Sequence, residues 1–371
     1  MLLIMATDSR RASVIKPRIA FCNTLRGLAA LIVVLSHYTH GFNALGGWLY
    51  NPPRGGGYPG WFLNVFLVDG AFGVAIFFLV SGFVIPMSLN NRSAVAFLAS
   101  RAIRLYPTFI ACTAITLTLV IGLGIDPSAK SAFVRAIYSM TFFRDWLGAL
   151  PFDSIVWTLE IEAKFYLYAA LMAPLMKTKP LIVALSPAIA TICLLIFGVT
   201  PTYPMTGILQ GNGISTLFWN IGYLSFICVG TLFYLNYSGV ITIAKFWVSL
   251  VFTLSTACCF LIARYPDNEL VPPIYIGATL TFAVFYIFFR DRKWVVTEYL
   301  SKISYPLYAV HASAGYVLLS IFIYRVGMPA LIALPLVILL VMLIAYAIHF
   351  AIEAPCMRLS SLRVASSFPK V

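Results

Sequence analysis

Apolar residues run through this chain in long stretches, broken by short polar or Gly/Pro-rich connections. A helix needs about 20 mostly apolar residues to cross the hydrocarbon core of a bilayer. The pattern predicts ten such spans, near 20–40, 61–87, 106–124, 153–176, 180–199, 214–235, 246–263, 272–289, 303–323 and 328–352. The longest polar connection, 125–152, is too short for a soluble domain. The expected fold is all-α, a polytopic membrane protein of about ten transmembrane helices. Residues 1–19 read as an N-terminal tail, 20–358 as one membrane domain and 359–371 as a C-terminal tail.

Composition sharpens this picture. Of 371 residues, 61% are hydrophobic and 10% charged, against about 25% charged in a soluble globular protein. That excludes a soluble enzyme, a disordered chain and a disulfide-stapled secreted fold. The net charge of +13 would suit nucleic acid, but its placement explains it otherwise. Lys and Arg concentrate in the N-terminal tail, at 92–104, 177–179, 245 and 290–302, and at the C-terminal end. The opposite loops carry only Arg54, Lys130, Arg135, Arg144, Arg264 and Arg325. The basic side is expected to be cytoplasmic, with both termini there, in an inner (plasma) membrane and with no nucleic-acid partner. The seven Cys lie mostly in or beside apolar spans, at spacings that suit no metal, so inert buried thiols are expected.

An ionisable residue inside a span is costly unless it faces the bundle interior and finds a partner. In the first span, Arg26 and His37 lie on one face, three helical turns and about 16 Å apart. They imply an internal lumen, or else a snorkelling arginine and an interfacial histidine. His40 is rotated from His37 and expected at the interface. In the fourth span, Asp153, Trp157, Glu160 and Lys164 fall on one stripe, where Glu160–Lys164 reads as an i,i+4 ion pair. Glu162 points the other way with no partner expected on its own helix. It reads as a proton acceptor or as a structural partner for Arg26. Arg101 and Arg104 share a helix face before Pro107 and suit phosphate oxygens, although basic residues beside a span also serve topology. The Ser81-Gly82 step suggests close helix packing rather than a nucleophile. His311 reads as a relay or, preferably, a structural histidine. Asp69 is a candidate partner for His37 or His40.

These clusters, in this order, resemble the acyltransferase-3 family of integral membrane acyltransferases over about residues 20–358. The family's Arg, ten residues, then His matches Arg26 and His37. Gly-Val-x-x-Phe-Phe-x-x-Ser-Gly-Phe matches Gly73 to Phe83, and the paired arginines before a proline match Arg101, Arg104 and Pro107. Trp-Ser/Thr-Leu-x-x-Glu matches Trp157 to Glu162, Ser-Tyr-x-Leu-Tyr-x-x-His matches Ser304 to His311, and Glu-x-Pro matches Glu353 to Pro355. The chain departs at Ala75, where many members carry Asp, and at Ala163-Lys164, where members often carry Glu-Gln.

The resemblance implies transfer of an acyl group, acetyl by default, from cytoplasmic acyl-CoA, with no bound cofactor. The acceptor would be a hydroxyl of an exported or cell-surface carbohydrate or a glycosylated small molecule. His37 would act as general base or nucleophile, with Glu162, or Asp69, orienting it. Arg26 would bind the donor or pair with an acid, and Arg101 and Arg104 would hold the CoA phosphates. Trp157 and His311 are supporting candidates. A transporter or flippase for a lipid-linked glycan or small polar solute would use the same buried charges as a path, but no internal repeat supports it.

Overall fold

The computed structural model describes residues 19–41, 70–89, 92–123, 128–202 and 213–359. Asp69, the start of the second predicted span and the His40 side chain lie outside what it describes. The first helix, α1 (Ala20–Ser36), continues as a π-helical turn, His37–Gly41. Then come α2 (Gly70–Leu89), α3 (Ala94–Gly122), α4 (Ala129–Met140), α5 (Arg144–Leu147), α6 (Val156–Leu171) and α7 (Ala173–Thr178). The second half holds α8 (Pro180–Ile196), α9 (Gly213–Tyr237), α10 (Ile243–Arg264), α11 (Val271–Phe288), α12 (Val295–Ser320) and α13 (Ala330–Ile348). Two further π-helical turns, Ile321–Arg325 and His349–Glu353, extend α12 and α13. Among the described residues there is no strand, as the all-α expectation required.

Eight of these helices are long and apolar enough to cross a membrane. The spans predicted near 153–176 and 180–199 are present as the shorter helices α6 and α8, of 16 and 17 residues. At 1.5 Å per residue each covers about 25 Å, less than a hydrocarbon core of about 30 Å. The apolar run of α6 is also interrupted by Glu160, Glu162 and Lys164, which lie in its middle. A second difference concerns 92–104, expected as a polar connection. It forms the first turns of α3, started by Ser93, whose side chain accepts from the Ala96 N–H, and carried on through Pro107.

The bundle is built around α1, which packs between α2 and α12. Small residues let these backbones approach. A Cβ at Gly27 would lie 2.6 Å from the Thr297 carbonyl oxygen. Where α2 crosses α9, Gly82 faces the Ile227 carbonyl and Gly230 faces that of Leu79, with no room for a methyl group at either. Thr231 completes the crossing by donating its hydroxyl to the Gly82 carbonyl at 3.0 Å. The Ser81-Gly82 step is therefore a packing device, as expected. Gly230→Ala should cost roughly 1–3 kcal/mol through overpacking, read as a lower Tm of the detergent-solubilised protein. Gly122→Ala, with nothing near its Cβ, should leave Tm unchanged.

On the outside, Ile276, Leu280, Val284 and Ile287 of α11 form an exposed apolar stripe, as do Leu339, Leu343, Tyr346 and Phe350 of the α13 segment. Their helical spacing presents one greasy face of each helix to lipid.

Candidate active site

Three cavities adjoin along the axis of α1. At the end where α1 begins, a mouth of about 600 Å³ is lined by Arg26, Arg104, Glu298, Lys302, His349 and Glu353, among others. Arg26 and Arg104 also line the next space, a neck of only about 50 Å³. Val74 and Tyr308 form the partition between this neck and a third cavity, a vestibule of about 420 Å³ that holds His37. The two residues that the first helix places on one face thus sit at opposite ends of one hourglass.

The neck takes its polarity from five helices, Ser304, Tyr305 and Tyr308 coming from α12. Arg26 comes from α1, Ser81 from α2, Arg104 from α3, and Thr158, Glu162 and Tyr166 from α6. Glu162 does have a partner on its own helix: the Tyr166 hydroxyl, one turn on, donates to Oε1 at 2.5 Å. Ser81 donates to the same oxygen at 2.8 Å. That gives Ser81 a role beside its packing neighbour. Thr158 and Tyr308 pair their hydroxyls at 2.5 Å. Among the described residues, neither Arg26 nor Arg104 makes a hydrogen bond or an ion pair. Two unpaired guanidinium groups beside one carboxylate leave the neck with a positive surplus, the arrangement of an anion receptor.

Arg101 and Arg104 part company. Arg101 donates to the Ser88 hydroxyl at 2.5 Å and stacks over the rings of Phe97 and Tyr166, 5.3 and 5.4 Å from their centroids. It lines neither cavity that Arg104 reaches. Arg92 is also engaged, donating to Ser100 at 3.0 Å. Only Arg104 of this basic cluster faces the interior passage. Arg101 backs the Tyr166 that holds Glu162.

In the vestibule, His37 Nδ1 lies 2.7 Å from the Tyr316 hydroxyl. With Nδ1–H donating to that oxygen, Nε2 keeps its lone pair for a base or nucleophile. Glu162 lines the neck and not the vestibule, and the hydroxyl that meets His37 Nδ1 is that of Tyr316, a residue that sequence reasoning missed. The His311 ring meets His37 edge to face at 4.9 Å between centroids. Its Nδ1–H donates to the Tyr308 carbonyl at 2.8 Å, while its buried Nε2 has no partner. His311 is thus anchored structurally on one nitrogen and open on the other. Trp157 lines the vestibule and packs against Phe78, Trp219 and Tyr223.

The fourth-span charges pair differently from the local expectation. Glu160 does not meet Lys164. Arg144 of α5 grips Glu160 with two bonds, at 2.8 and 2.9 Å, and Lys164 donates to Asp145 at 2.7 Å. Asn220 of α9 donates to the other Asp145 oxygen at 3.1 Å. All four charged side chains are buried. Asp153 precedes α6 rather than riding on it. Its carboxylate accepts from the Ile155 and Ser313 N–H groups, at 3.3 and 3.2 Å, and so ties α6 to α12.

A family model described as an acyltransferase domain matches residues 19–351. The chain belongs to the acyltransferase-3 family. In this acyltransferase-3 protein the family's motifs, scattered along the sequence, converge on the hourglass: Arg26 and Arg104 at the mouth and neck, Glu162 in the neck, His37 in the vestibule. Its departures are accommodated too. Ala75 is fully buried in the apolar core, and Lys164 finds Asp145. Over 119 residues the chain is 32% identical to nodulation protein 10 of Rhizobium leguminosarum bv. viciae. That match covers 27% of this chain and about a third, 32%, of that protein's length. No solved structure matches the chain.

Proposed function

We propose that this multi-pass membrane protein is an O-acyltransferase. It takes an acyl group, acetyl by default, from cytoplasmic acyl-CoA. It places that group on a hydroxyl of an exported or cell-surface carbohydrate or a glycosylated small molecule. The observation that carries this reading is the hourglass itself. A basic mouth suits the phosphates of a donor, and a neck with room for only a few waters suits a thin pantetheine arm. The vestibule falls within the usual range of small-ligand sites and offers an imidazole to an acceptor sugar.

In the reaction, the acceptor hydroxyl oxygen attacks the thioester carbonyl carbon while His37 Nε2 takes the hydroxyl proton. The new C–O bond forms, the C–S bond breaks, and the CoA thiolate recovers the proton from the imidazolium. Tyr316 holds the ring in place through its Nδ1 side. Arg26 and Arg104 hold the donor on its way into the neck, and Glu162 keeps those two cations from repelling each other unopposed. With both termini cytoplasmic, the mouth faces the donor pool and the vestibule faces outward.

The test is covalent. Mass spectrometry of surface glycans should find an acyl ester that is present with the protein and absent without it. A transporter would change the amount of glycan exported and leave its acylation unchanged. Within the purified protein, Arg104→Ala should raise the dissociation constant for acetyl-CoA about tenfold, the effect of one lost charge-assisted contact of roughly 1.5 kcal/mol. Arg101→Ala should lower Tm and leave that constant nearly unchanged.

A further inference from the structure

A cavity of about 840 Å³ lies apart from the hourglass and shares no lining residue with it. Pro86 and Leu89, at the end of α2, line it, and their neighbour Met87 lines the mouth, so both open at one end of the bundle. Three lysines line the cavity: Lys177 from α7, Lys179 from the link to α8, and Lys245 from the first turn of α10. All three are exposed. Among the described residues none of them makes an ion pair, and no carboxylate lines the cavity. Much of the remaining wall is apolar, including Leu89, Met176, Leu181, Leu235 and Ile241. Basic residues beside a span can serve topology alone, but that task needs no hollow with greasy walls. The cavity also adjoins the start of α8, which is too short for a full crossing. Beside such a helix the bilayer thins and lipid headgroups move inward. Ile182 lines the cavity, and from it the exposed Ile182, Ile189 and Ile196 follow one face of α8, two turns apart.

We propose that this cavity binds an anionic phospholipid, its phosphate against Lys177, Lys179 and Lys245 and an acyl chain along the isoleucine face of α8. Each part of that ligand answers a part of the cavity. A soluble phosphate would meet the lysines and leave the apolar wall and the isoleucine face unused. A choline lipid would use the apolar surfaces but bring a cation of its own towards three ammonium groups. A lipid with net negative charge satisfies both, and basic pockets between membrane helices are suited to such headgroups. The bound lipid would join α7, α8 and α10 at one end of the bundle, and so stabilise the folded protein by mass action. The site does not depend on the donor reading given above.

The experiment titrates the detergent-solubilised full chain with dioleoyl phosphatidylglycerol or dioleoyl phosphatidylcholine and reads the first bound lipid by native mass spectrometry. The two lipids share their acyl chains and differ in headgroup charge. The wild-type protein should bind phosphatidylglycerol at least about tenfold more tightly, a difference of about 1.4 kcal/mol. The triple variant Lys177→Gln, Lys179→Gln, Lys245→Gln should lose that preference. A control, Arg292→Gln with Lys293→Gln, removes exposed charge that lines no part of this cavity and should keep it. Because the substituted residues are exposed, both variants should show the wild-type Tm without added lipid. Phosphatidylglycerol should then raise Tm for the wild type and not for the triple variant, and inorganic phosphate should raise it for neither. Equal binding of the two lipids by the wild-type protein would overturn the site. So would a preference that survives in the triple variant, or one that the control loses to the same extent. A rise in Tm with inorganic phosphate that the triple variant lacks would assign the lysines to a soluble anion and overturn the lipid.

Discussion

Replacing His37 by Ala is expected to lower acyl transfer by about two to four orders of magnitude, the range that a positioned general base contributes. Acetyl-CoA binding should survive, because the donor's charged portion would sit in the mouth and His37 lines the vestibule at the far side of the neck. The measurement is transfer of labelled acetyl to an acceptor by the purified protein, with the CoA dissociation constant determined in parallel. Tyr316→Phe should give a smaller loss of transfer, since it removes the hydroxyl at His37 Nδ1 and leaves the imidazole in place. Wild-type transfer by the His37 variant would remove the imidazole from the reaction.

The second large effect concerns stability. Glu160→Ala leaves the Arg144 guanidinium buried, still donating to the Ala149 carbonyl but without its carboxylate. Such a truncation should cost about 3–5 kcal/mol, because it strands a charge in a low-dielectric interior. Arg144→Ala should cost a similar amount. The double variant Arg144→Leu with Glu160→Leu should recover most of the loss, since neither charge then remains to be desolvated. Denaturation of the wild type, Arg144→Leu, Glu160→Leu and the double Leu variant in one detergent gives the coupling energy. Independent losses that simply add would show that the pair is not coupled. Transfer should fall in the single variants too, because α6 carries Trp157 and Glu162 into the vestibule and neck.

The spans were legible because apolar length is a local property, and the shared face of Arg26 and His37 follows from helical geometry alone. Pairing was another matter. An i,i+4 rule joined Glu160 to Lys164, yet each finds its partner upstream on a short helix, 16 and 19 positions away. Nothing in the sequence marked Arg144-Asp145 as that clip, since the dipeptide sits in a stretch with weak periodicity. Tyr166 was within reach of the same rule that failed for Lys164. It was overlooked because a hydroxyl, unlike a charge, does not advertise itself as a partner for Glu162. Tyr316 lies 279 positions from His37, and only the parallel packing of α1 and α12 brings them together. Arg101 and Arg104 lie on the same side of a helix but about 60° apart, enough to turn one into aromatic packing and the other into the passage.

A protein with hollows at both ends of its bundle risks becoming a leak for protons and ions. The constriction of about 50 Å³ between Arg26 and Tyr308 guards against this, since it admits at most a short file of water and its surplus positive charge repels cations. On the proposed reading a donor threaded there would act as its own stopper, so that turnover and sealing would depend on one narrow stretch.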